Sequence, residues 1–325
     1  MSEAMLAVRI VRPGGPEVLE PREAERPRLE AHEVLVRVRA AGVNRADALQ
    51  RLGRYPAPDG VPRDIPGLEH AGVVEAVGER VAAWVPGDRV MGIVGGGAYA
   101  EYVAVDARHL IAIPESWSFE QAAAVPEAFI TAHDALMQVG IEADDRVLIH
   151  AVGSSVGLAL LQLARGAGAE VVGTSRTAAK LERAARELGL ARGIETGGGF
   201  DGAELAGQID VICDLVGGPY LKGNLEALAQ HGRIIVIGLT GGRTAEIDLG
   251  LLLRKRALLV GTVLRSRSSE EKSVLTRRFA ELVLPQFAEG TLRPLVDRVF
   301  PMREAAAAHR YLEESRNFGS IVLAW

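Results

Sequence analysis

A turn of small residues near the middle of the chain has the composition of an anion-binding site. Arg146-Val-Leu-Ile-His150 is followed by Ala-Val-Gly-Ser-Ser-Val-Gly157, and an apolar run continues to Ala164. This order predicts a strand, a tight turn and a helix N-terminus, where backbone N–H groups and the helix dipole can hold a pyrophosphate. Only the last glycine of the G-x-G-x-x-G pattern is present, because Val152 and Ser154 occupy the first two positions. Any tight turn between a strand and a helix is the alternative.

The end of the next predicted strand carries cations instead of an acid. Gly173-Thr-Ser-Arg-Thr177 lies about 20 residues beyond the turn, where an NAD enzyme places an acid on the ribose 2′-hydroxyl. Glu170, at the start of that strand, is too far back for this role. Arg176 and Lys180 suit a 2′-phosphate, because a guanidinium offers paired donors to phosphate oxygens. The pattern therefore predicts NADPH. A solvated helix N-terminus is the alternative, although cations there oppose the helix dipole.

The same turn also matches a serine nucleophile. Gly153-Ser-Ser-Val-Gly157 has the G-x-S-x-G pattern of a nucleophile elbow, which makes a serine hydrolase acting through Ser155 the main alternative from another class. The acid and histidine pairs with the required chain order are Asp214 with His231 and Asp297 with His309. However, a hydrolase elbow normally follows several βα units, and the chain before residue 118 predicts mainly β structure.

The elements that must position these residues follow two patterns. Up to about residue 118, short alternating runs punctuated by Gly and Pro predict strands. From about 120, helices alternate with strands at the spacing of βα units, so a doubly wound parallel sheet is expected. After about 265 we predict a helix from Glu270 to about Glu289, a loop and strand from Leu292 to Phe300, a helix from Arg303 to about Ser315 and a last strand, Ser320-Ile-Val-Leu323. This last strand has no βαβ partner, which indicates that the chain returns to the first domain.

Composition bounds the class of protein. A chain of 325 residues exceeds the usual size of one hydrophobic core, so two domains are expected. A net charge of −5 gives no electrostatic footprint for nucleic acid, and no apolar run approaches the ~18 residues of a membrane span. The start of the chain lacks the pattern of a secretory signal. Cys213 is the only cysteine, which excludes a disulfide framework and a four-cysteine zinc lobe and indicates a cytoplasmic protein.

Several stretches in the same order resemble the medium-chain dehydrogenase/reductase superfamily, and within it the zinc-free NADPH:quinone oxidoreductases. They are Asn44-Arg-Ala-Asp-Ala-Leu-Gln-Arg-Leu-Gly-Arg-Tyr55, Pro66-Gly-Leu-Glu-His-Ala-Gly72, Pro126-Glu-Ala-Phe-Ile-Thr-Ala132, the turn from His150 to Gly157, Leu264-Arg-Ser-Arg267 and Asn317-Phe-Gly-Ser-Ile-Val-Leu323. The first and fifth look most like the tumour-suppressor-inducible branch of that family.

The resemblance implies an α/β protein of two domains. Residues 1–120 and 266–325 would form a GroES-like, mainly β catalytic domain, and residues 121–265 a Rossmann domain that binds NADPH. The implied activity is reduction of a quinone or related α,β-unsaturated carbonyl by hydride transfer, in a homodimer without nucleic-acid or membrane partners. Reduction of enoyl thioesters is the nearest alternative. A crystallin-like protein that binds RNA is a further one, which the net charge disfavours.

The resemblance also implies that no catalytic zinc is bound. Zinc-dependent relatives bind the metal through a cysteine, a histidine and a second cysteine, and those positions hold Asn44, Leu68 and approximately Glu127. An amide and a leucine cannot replace thiolate and imidazole ligands. A quinone or enone tolerates the loss of a Lewis acid, because its conjugation already delocalises the charge that hydride brings.

Carried over by position, the resemblance makes Asn44, Tyr55 and Thr131 the catalytic residues beside the nicotinamide and substrate. The residues it places on the cofactor are Asn44, Thr131, Ser154, Ser155, Val156, Gly157, Thr174, Ser175, Arg176, Lys180, Gly238, Leu239, Leu264 and Asn317. Asn44 could instead only cap a helix, and Tyr55 could only pack in its Pro-rich loop. The family usually has tyrosine at Thr196, lysine at Ser320 and glycine at Ser155, so contacts of Thr196 and Ser320 with the cofactor stay open.

Overall fold

The computed structural model describes residues 3–325, which divide into two units. Unit 1 contains the chain up to Ile130 together with Leu264–Pro285 and Arg293–Trp325. Unit 2 contains Thr131–Val263 and Gln286–Leu292. The chain passes from the first unit to the second along one helix, and it returns just before Leu264.

Unit 1 is mainly β. Its elements are β1 (Ala4–Ile10), β2 (Leu19–Glu25), β3 (Glu33–Val43), α1 (Arg45–Arg51), β4 (Glu69–Val77), β5 (Arg89–Ile93), β6 (Tyr102–Asp106), β7 (Leu110–Ala112), α2 (Phe119–Ala122) and the first part of α3 (Pro126–Val139). The returning chain adds α8 (Ser269–Leu282), the start of α9 (Leu284–Ala288), β14 (Val296–Pro301), α10 (Ala305–Glu313) and β15 (Ser320–Ala324).

The long strand β3 organises this unit. It pairs antiparallel with β4, β6 and β15 in a seven-stranded sheet. Six strands follow the order β14-β15-β3-β4-β5-β7, and the seventh, β6, pairs with β3 off this path, while β1 and β2 form a separate hairpin. Valines alternate along β3 toward one buried cluster. The last strand of the chain therefore lies beside a strand from its first fifty residues, with Ile321 opposite Val43.

Unit 2 is a doubly wound parallel sheet. After α3 it contains β8 (Arg146–Ile149), α4 (Ser155–Gly166), β9 (Glu170–Ser175), α5 (Ala178–Leu188), β10 (Arg192–Glu195), β11 (Ile209–Asp214), α6 (Leu221–Ala227), β12 (Leu228–Val236), α7 (Leu249–Lys255) and β13 (Leu258–Gly261). The strand order is β10-β9-β8-β11-β12-β13, so the order reverses between β8 and β11. The expected α/β class, a GroES-like β domain with a Rossmann domain, is confirmed.

One helix differs from its prediction. The helix expected from Glu270 to about Glu289 is two helices, because α8 ends at Leu282 and α9 starts at Leu284. Pro285 lacks a backbone N–H and would clash with the preceding turn of a continuous helix, so the chain bends just before it. The loop and strand expected from Leu292 to Phe300 are present, with the strand β14 starting at Val296. Within residues 3–325, no helix has both the length and the apolar character to cross a membrane.

Candidate active site

The turn between β8 and α4 has the geometry of an anion-binding helix N-terminus. Ser154 caps α4, and its hydroxyl accepts a hydrogen bond from the Gly157 N–H at 3.1 Å. A Cβ on Gly157 would lie 2.6 Å from the carbonyl oxygen of Ala151, so a side chain does not fit where the helix meets the turn. The N–H groups of Ser155 and Val156 open the helix and therefore lack an intrahelical acceptor. They can bind a diphosphate.

The first turn of α5 places a cation against the turn between β8 and α4. A Cβ on Gly153 would lie 2.9 Å from Cδ of Lys180, so the lysine side chain packs over the turn. The exposed Arg176 lies between β9 and α5, and the Ser175 hydroxyl accepts the Thr177 N–H at 3.3 Å. On the neighbouring strand, Glu195 is in register with Ser175, a carboxylate at this edge that spacing along the chain did not indicate.

Other predicted cofactor residues lie at the same carboxyl edge of the sheet. Gly238 follows β12, its N–H donates to the Asp214 carbonyl at 3.1 Å, and a Cβ there would lie 2.8 Å from the Leu215 carbonyl oxygen. Leu239 is exposed beside it. Because parallel strands end together at this edge, unit 2 brings together the turn, the end of β9 and the end of β12, as dinucleotide sites require.

A buried hydrogen-bond chain crosses the ends of three strands in this region. Nδ1 of His150 contacts the Thr174 hydroxyl at 2.9 Å, and Nε2 lies 2.6 Å from Oδ1 of Asn224. The Asn224 amide nitrogen donates to Asp214 at 2.9 Å. Burial lowers the pKa of His150, which keeps the ring neutral, so its one N–H points to Asn224 and Thr174 donates to it. The Thr174 hydroxyl is thus bonded within the protein.

In unit 1, Asn44 both caps a helix and contacts a buried acid. It is the N-cap of α1, where its backbone N–H donates to Asp47 at 2.8 Å. Its side-chain amide nitrogen donates to Oε1 of Glu69, also at 2.8 Å. Gly42 leaves room for this carboxylate, since a Cβ there would lie 2.0 Å from Oε1 of Glu69. The helix-cap role and a place in a polar cluster are therefore combined in one residue.

Three carboxyl groups gather next to Asn44. Glu69 accepts the Glu127 backbone N–H through its second oxygen at 2.8 Å, and Asp47 accepts the Gly67 N–H at 2.9 Å. Burial raises the pKa of Asp47 to about 6 and that of Glu69 to about 7. Burial and the nearby carboxylates Glu69 and Asp47 raise the pKa of Glu127 to about 8. Near neutral pH this cluster therefore holds and exchanges protons.

A second series of buried hydrogen bonds ends at Asp47. Arg51, which is fully buried, contacts Nδ1 of His309 at 3.2 Å, and Nε2 of His309 lies 3.3 Å from the Tyr99 hydroxyl. That hydroxyl donates to Asp47 at 3.2 Å. Burial lowers the pKa of His309 to about 3, and Arg51 only donates, so the ring is neutral and its N–H faces Tyr99. Every donor in this chain points toward the Asp47 carboxylate.

Tyr55 lies in the Pro-rich loop, where it is half-buried. The Arg265 guanidinium carbon lies 5.1 Å from the centre of the Tyr55 ring, and the Nη1 group of Arg265 donates to the Tyr55 carbonyl oxygen at 3.3 Å. Within residues 3–325 the Tyr55 hydroxyl makes no hydrogen bond. Arg265 was not among the predicted site residues, although it lies inside the Leu264-Arg-Ser-Arg267 stretch.

Three further residues considered for the cofactor site form hydrogen bonds within the protein, and two others are described by their burial. The Asn317 amide donates to the Gly319 carbonyl at 2.7 Å, and the Ser320 hydroxyl donates to the Ala124 carbonyl at 3.2 Å. Thr196 accepts a hydrogen bond from the Tyr220 hydroxyl at 3.0 Å. Leu264 is buried in unit 1, and Thr131 lies half-buried on α3. Cofactor contacts of Asn317, Leu264 and Thr131 stay predictions, and those of Thr196 and Ser320 stay open.

The hydrolase alternative is wrong. His231 is exposed at the start of β12, whereas Ser155 follows the end of β8, so the parallel strands place them at opposite edges of the sheet. In the other pair, both ring nitrogens of His309 contact Arg51 and Tyr99, and Asp297 accepts the Tyr311 hydroxyl. Ser155 therefore has no general base from either pair.

The residues at the zinc positions of related dehydrogenases do not fit a zinc ion. Leu68 is buried and apolar, and the Asn44 amide nitrogen is a donor to Glu69. A zinc ligand must instead present a lone pair. No group of three His, Cys, Asp or Glu side chains in the described chain is placed to hold a metal.

Two family profiles match the chain. The profile described as "Alcohol dehydrogenase GroES-like domain" matches residues 30–115, and the one described as "Zinc-binding dehydrogenase" matches residues 197–323. The quinone oxidoreductase of Lama guanicoe is 34% identical over 334 residues, covering 98% of this chain and 97% of that protein. The polyketide synthase GfsB of Streptomyces halstedii is 37% identical over 300 residues, which are 91% of this chain but only 5% of the synthase.

Solved structures agree with these matches. Mycobacterial Rv1454c complexed with NADPH superposes with a TM-score of 0.88 at 28% identity, covering 99% of this chain and 100% of that one. The CurK enoyl reductase gives a TM-score of 0.86 at 27% identity, covering 98% and 99%. Fold and site thus define an oxidoreductase with a nicotinamide cofactor. The chain belongs to the medium-chain dehydrogenase/reductase superfamily and, within it, to the quinone oxidoreductases.

The carboxyl cluster predicts a pH-dependent stability. Because the folded-state pKa of Glu127 lies above its ordinary value of 4.5, the stabilisation present below pH 4.5 is lost as the pH rises through about 8. We expect Glu127→Gln to raise the free energy of unfolding at pH 9 by several kcal/mol, since each unit of pKa difference is worth about 1.4 kcal/mol, and to leave it unchanged at pH 4. Urea unfolding at both pH values measures this. Glu281→Gln, at an exposed site on α8, is the control and should show no such difference.

Proposed function

We propose that this protein reduces quinones or related α,β-unsaturated carbonyl compounds with NADPH. The observation that carries the proposal is the turn between β8 and α4, with Lys180 packed over Gly153 and Arg176 at the end of β9. Two free N–H groups suit the diphosphate, and two cations suit an additional phosphate. The quinone oxidoreductase of Lama guanicoe, matched over nearly its whole length, supports the substrate class.

NADPH supplies a hydride from C4 of its nicotinamide, and with one proton this turns a quinone into a hydroquinone and leaves NADP⁺. The residues of this chain have to orient the acceptor and stabilise the oxygen that gains negative charge. The unbonded hydroxyl of Tyr55 is a donor for that oxygen. The Asn44 amide uses one N–H on Glu69 and keeps a second for substrate. Thr131 is proposed to line the nicotinamide side.

Turnover with a panel of acceptors tests this function. We expect oxidation of NADPH, followed by its absorbance, with benzoquinones and simple enones, and slower turnover with enoyl thioesters. Enoyl-thioester reduction is the second candidate, because the CurK enoyl reductase has the same fold. Preferential turnover of enoyl thioesters would assign that activity instead. No oxidation with any of the three classes would refute the proposal.

The choice of cofactor is tested at the two cations. Replacing Arg176 and Lys180 together by Ala should raise the Kd for NADPH by about 100-fold, because two charge-assisted hydrogen bonds are lost. The Kd for NADH should change less than about threefold, since NADH has no 2′-phosphate. Fluorescence titration of both cofactors measures this. Equal weakening of both would show that these cations do not select the 2′-phosphate, and Arg186→Ala on the exposed surface of α5 is the control.

We also propose that the protein is a homodimer that pairs through β13. This strand is the edge of the unit 2 sheet, and its Leu258 and Leu259 are both exposed, as are Leu249 and Leu253 on α7. The unpaired backbone N–H and C=O groups of an apolar edge strand can pair with the same strand of a second copy. Leu259→Arg should therefore give a monomer in sedimentation velocity runs, whereas Leu282→Arg, at another exposed leucine, should not. A cytoplasmic location and the lack of a nucleic-acid partner stay predictions from composition.

A further inference from the structure

Arg265 is a buried cation that ties three segments of unit 1 together. Its side chain belongs to a residue only 4% exposed, and Nε donates to the Gly95 carbonyl at 2.8 Å. One terminal nitrogen donates to Oε1 of Gln50 on α1, and the other to the carbonyl of Tyr55. Gln50 in turn donates to the Arg63 carbonyl at 2.9 Å. The Pro-rich loop is thus fixed at both ends by one side chain and its partner.

The same guanidinium lies over the face of the Tyr55 ring. The separation of 5.1 Å is within the range of a cation–π contact, which is stronger when the cation is removed from water. A guanidinium suits this place better than an ammonium, because its flat surface stacks while its edge keeps the three carbonyl and amide contacts. Arg265 therefore fixes both the position and the plane of the Tyr55 ring.

The charged groups around Arg265 and Tyr55 have opposite effects on the pKa of the Tyr55 hydroxyl. Burial raises the pKa of Tyr55, Arg265 lowers it, and Glu127 raises it. Arg265 itself is faced by Asp47 and Glu127, and Lys272 faces Glu127 and Arg265 from α8. Since a hydroxyl becomes a better donor as its conjugate base is stabilised, Arg265 strengthens the Tyr55 hydroxyl and Glu127 weakens it.

We propose that Arg265 is a positioning residue for Tyr55: it holds the ring by stacking, and its charge strengthens the hydroxyl as a donor to the substrate oxygen that gains negative charge. The proposal rests on the proposed function, because that function gives Tyr55 its contact with substrate. The hydroxyl is available for it, since no group in the described residues bonds to it. Arg265 needs no contact with the substrate to act in this way.

A double-mutant cycle separates this role from general support of the fold. We expect Arg265→Met and Tyr55→Phe each to lower kcat for a benzoquinone about tenfold, with the Kd for NADPH within about twofold of the wild type. The double variant should be no slower than Tyr55→Phe alone, because Arg265 then has no hydroxyl to act on. Losses that multiply to about 100-fold would overturn the proposal.

Arg89→Met is the matched control for the cycle. Arg89 also lies over an aromatic ring, that of Phe119, and it donates to the backbone carbonyls of Glu115 and Trp117 in the same unit. Its loss removes a comparable set of contacts away from Tyr55. This variant should keep the wild-type kcat, and a tenfold loss here would show that any such arginine matters only for the fold.

A readout without turnover comes from ¹⁹F NMR of protein labelled with 3-fluorotyrosine, whose hydroxyl is more acidic than that of tyrosine. The resonance missing in Tyr55→Phe identifies the residue. We expect its titration to move to higher pH in Arg265→Met, to return partway in Arg265→Lys, and to move to lower pH in Glu127→Gln. Identical titrations in all variants would overturn the proposal.

The turnover assay and the ¹⁹F titration distinguish failure of the proposed function from failure of the proposed role of Arg265. If the wild type reduces no quinone while the ¹⁹F titrations shift as expected, the proposed function is wrong and the coupling of Arg265 to Tyr55 stands. If quinones are reduced but the titrations do not move, Arg265 has only a structural role. Should Arg265→Met not fold, the opposite shifts of Arg265→Lys and Glu127→Gln carry the same test, with circular dichroism as the check on folding.

Discussion

A carboxylate taken out of water must be hydrogen-bonded, and each unit of this protein meets that requirement with a neutral histidine. In unit 1 the donors run from Arg51 through His309 and Tyr99 to Asp47. In unit 2 they run from Thr174 through His150 and Asn224 to Asp214. A neutral imidazole can accept a hydrogen bond at one nitrogen and donate one at the other. It therefore connects two hydrogen bonds of the series without adding a buried charge. Both carboxylates also accept backbone N–H groups.

These buried chains fix the backbone where the site residues are attached. Asp47 holds the start of α1 and the Gly67 N–H, and it thereby sets the position of Asn44. His150 is the residue after β8, and its bond to Thr174 joins the ends of β8 and β9 next to the turn that is proposed to bind the diphosphate. Hydride transfer depends on distances that are held closely, and side chains without alternative rotamers supply such precision. In the proposed function, the buried polar residues thus serve hydride transfer by holding the backbone, although they need not touch a substrate.

What the sequence could predict was local. β-branched runs and their spacing indicated the parallel strands of unit 2, and the turn before Gly157 could be recognised because its residues are contiguous. Contacts between distant parts of the chain could not be recognised in this way: Arg265 donates to Gln50, 215 positions earlier, and His309 contacts Arg51, 258 positions earlier. The place of Glu195 beside Ser175 depended on strand register. The break before Pro285 was readable in principle, because proline removes a helical donor, but a continuous helix was predicted across it.

In the proposed function, the polar cluster at Asn44 favours one kind of hydride acceptor. In a zinc dehydrogenase the metal polarises an oxygen, so the substrate itself can be a poor electrophile. Here the corresponding positions hold Asn44, whose amide N–H is bonded to Glu69, and the buried apolar Leu68. Hydrogen-bond donors stabilise developing charge less than a metal ion does, and the nearby carboxyl groups oppose negative charge whenever they are ionised. An acceptor that spreads the incoming charge over a conjugated ring places less charge on any one oxygen, and this is the property that quinones and enones share.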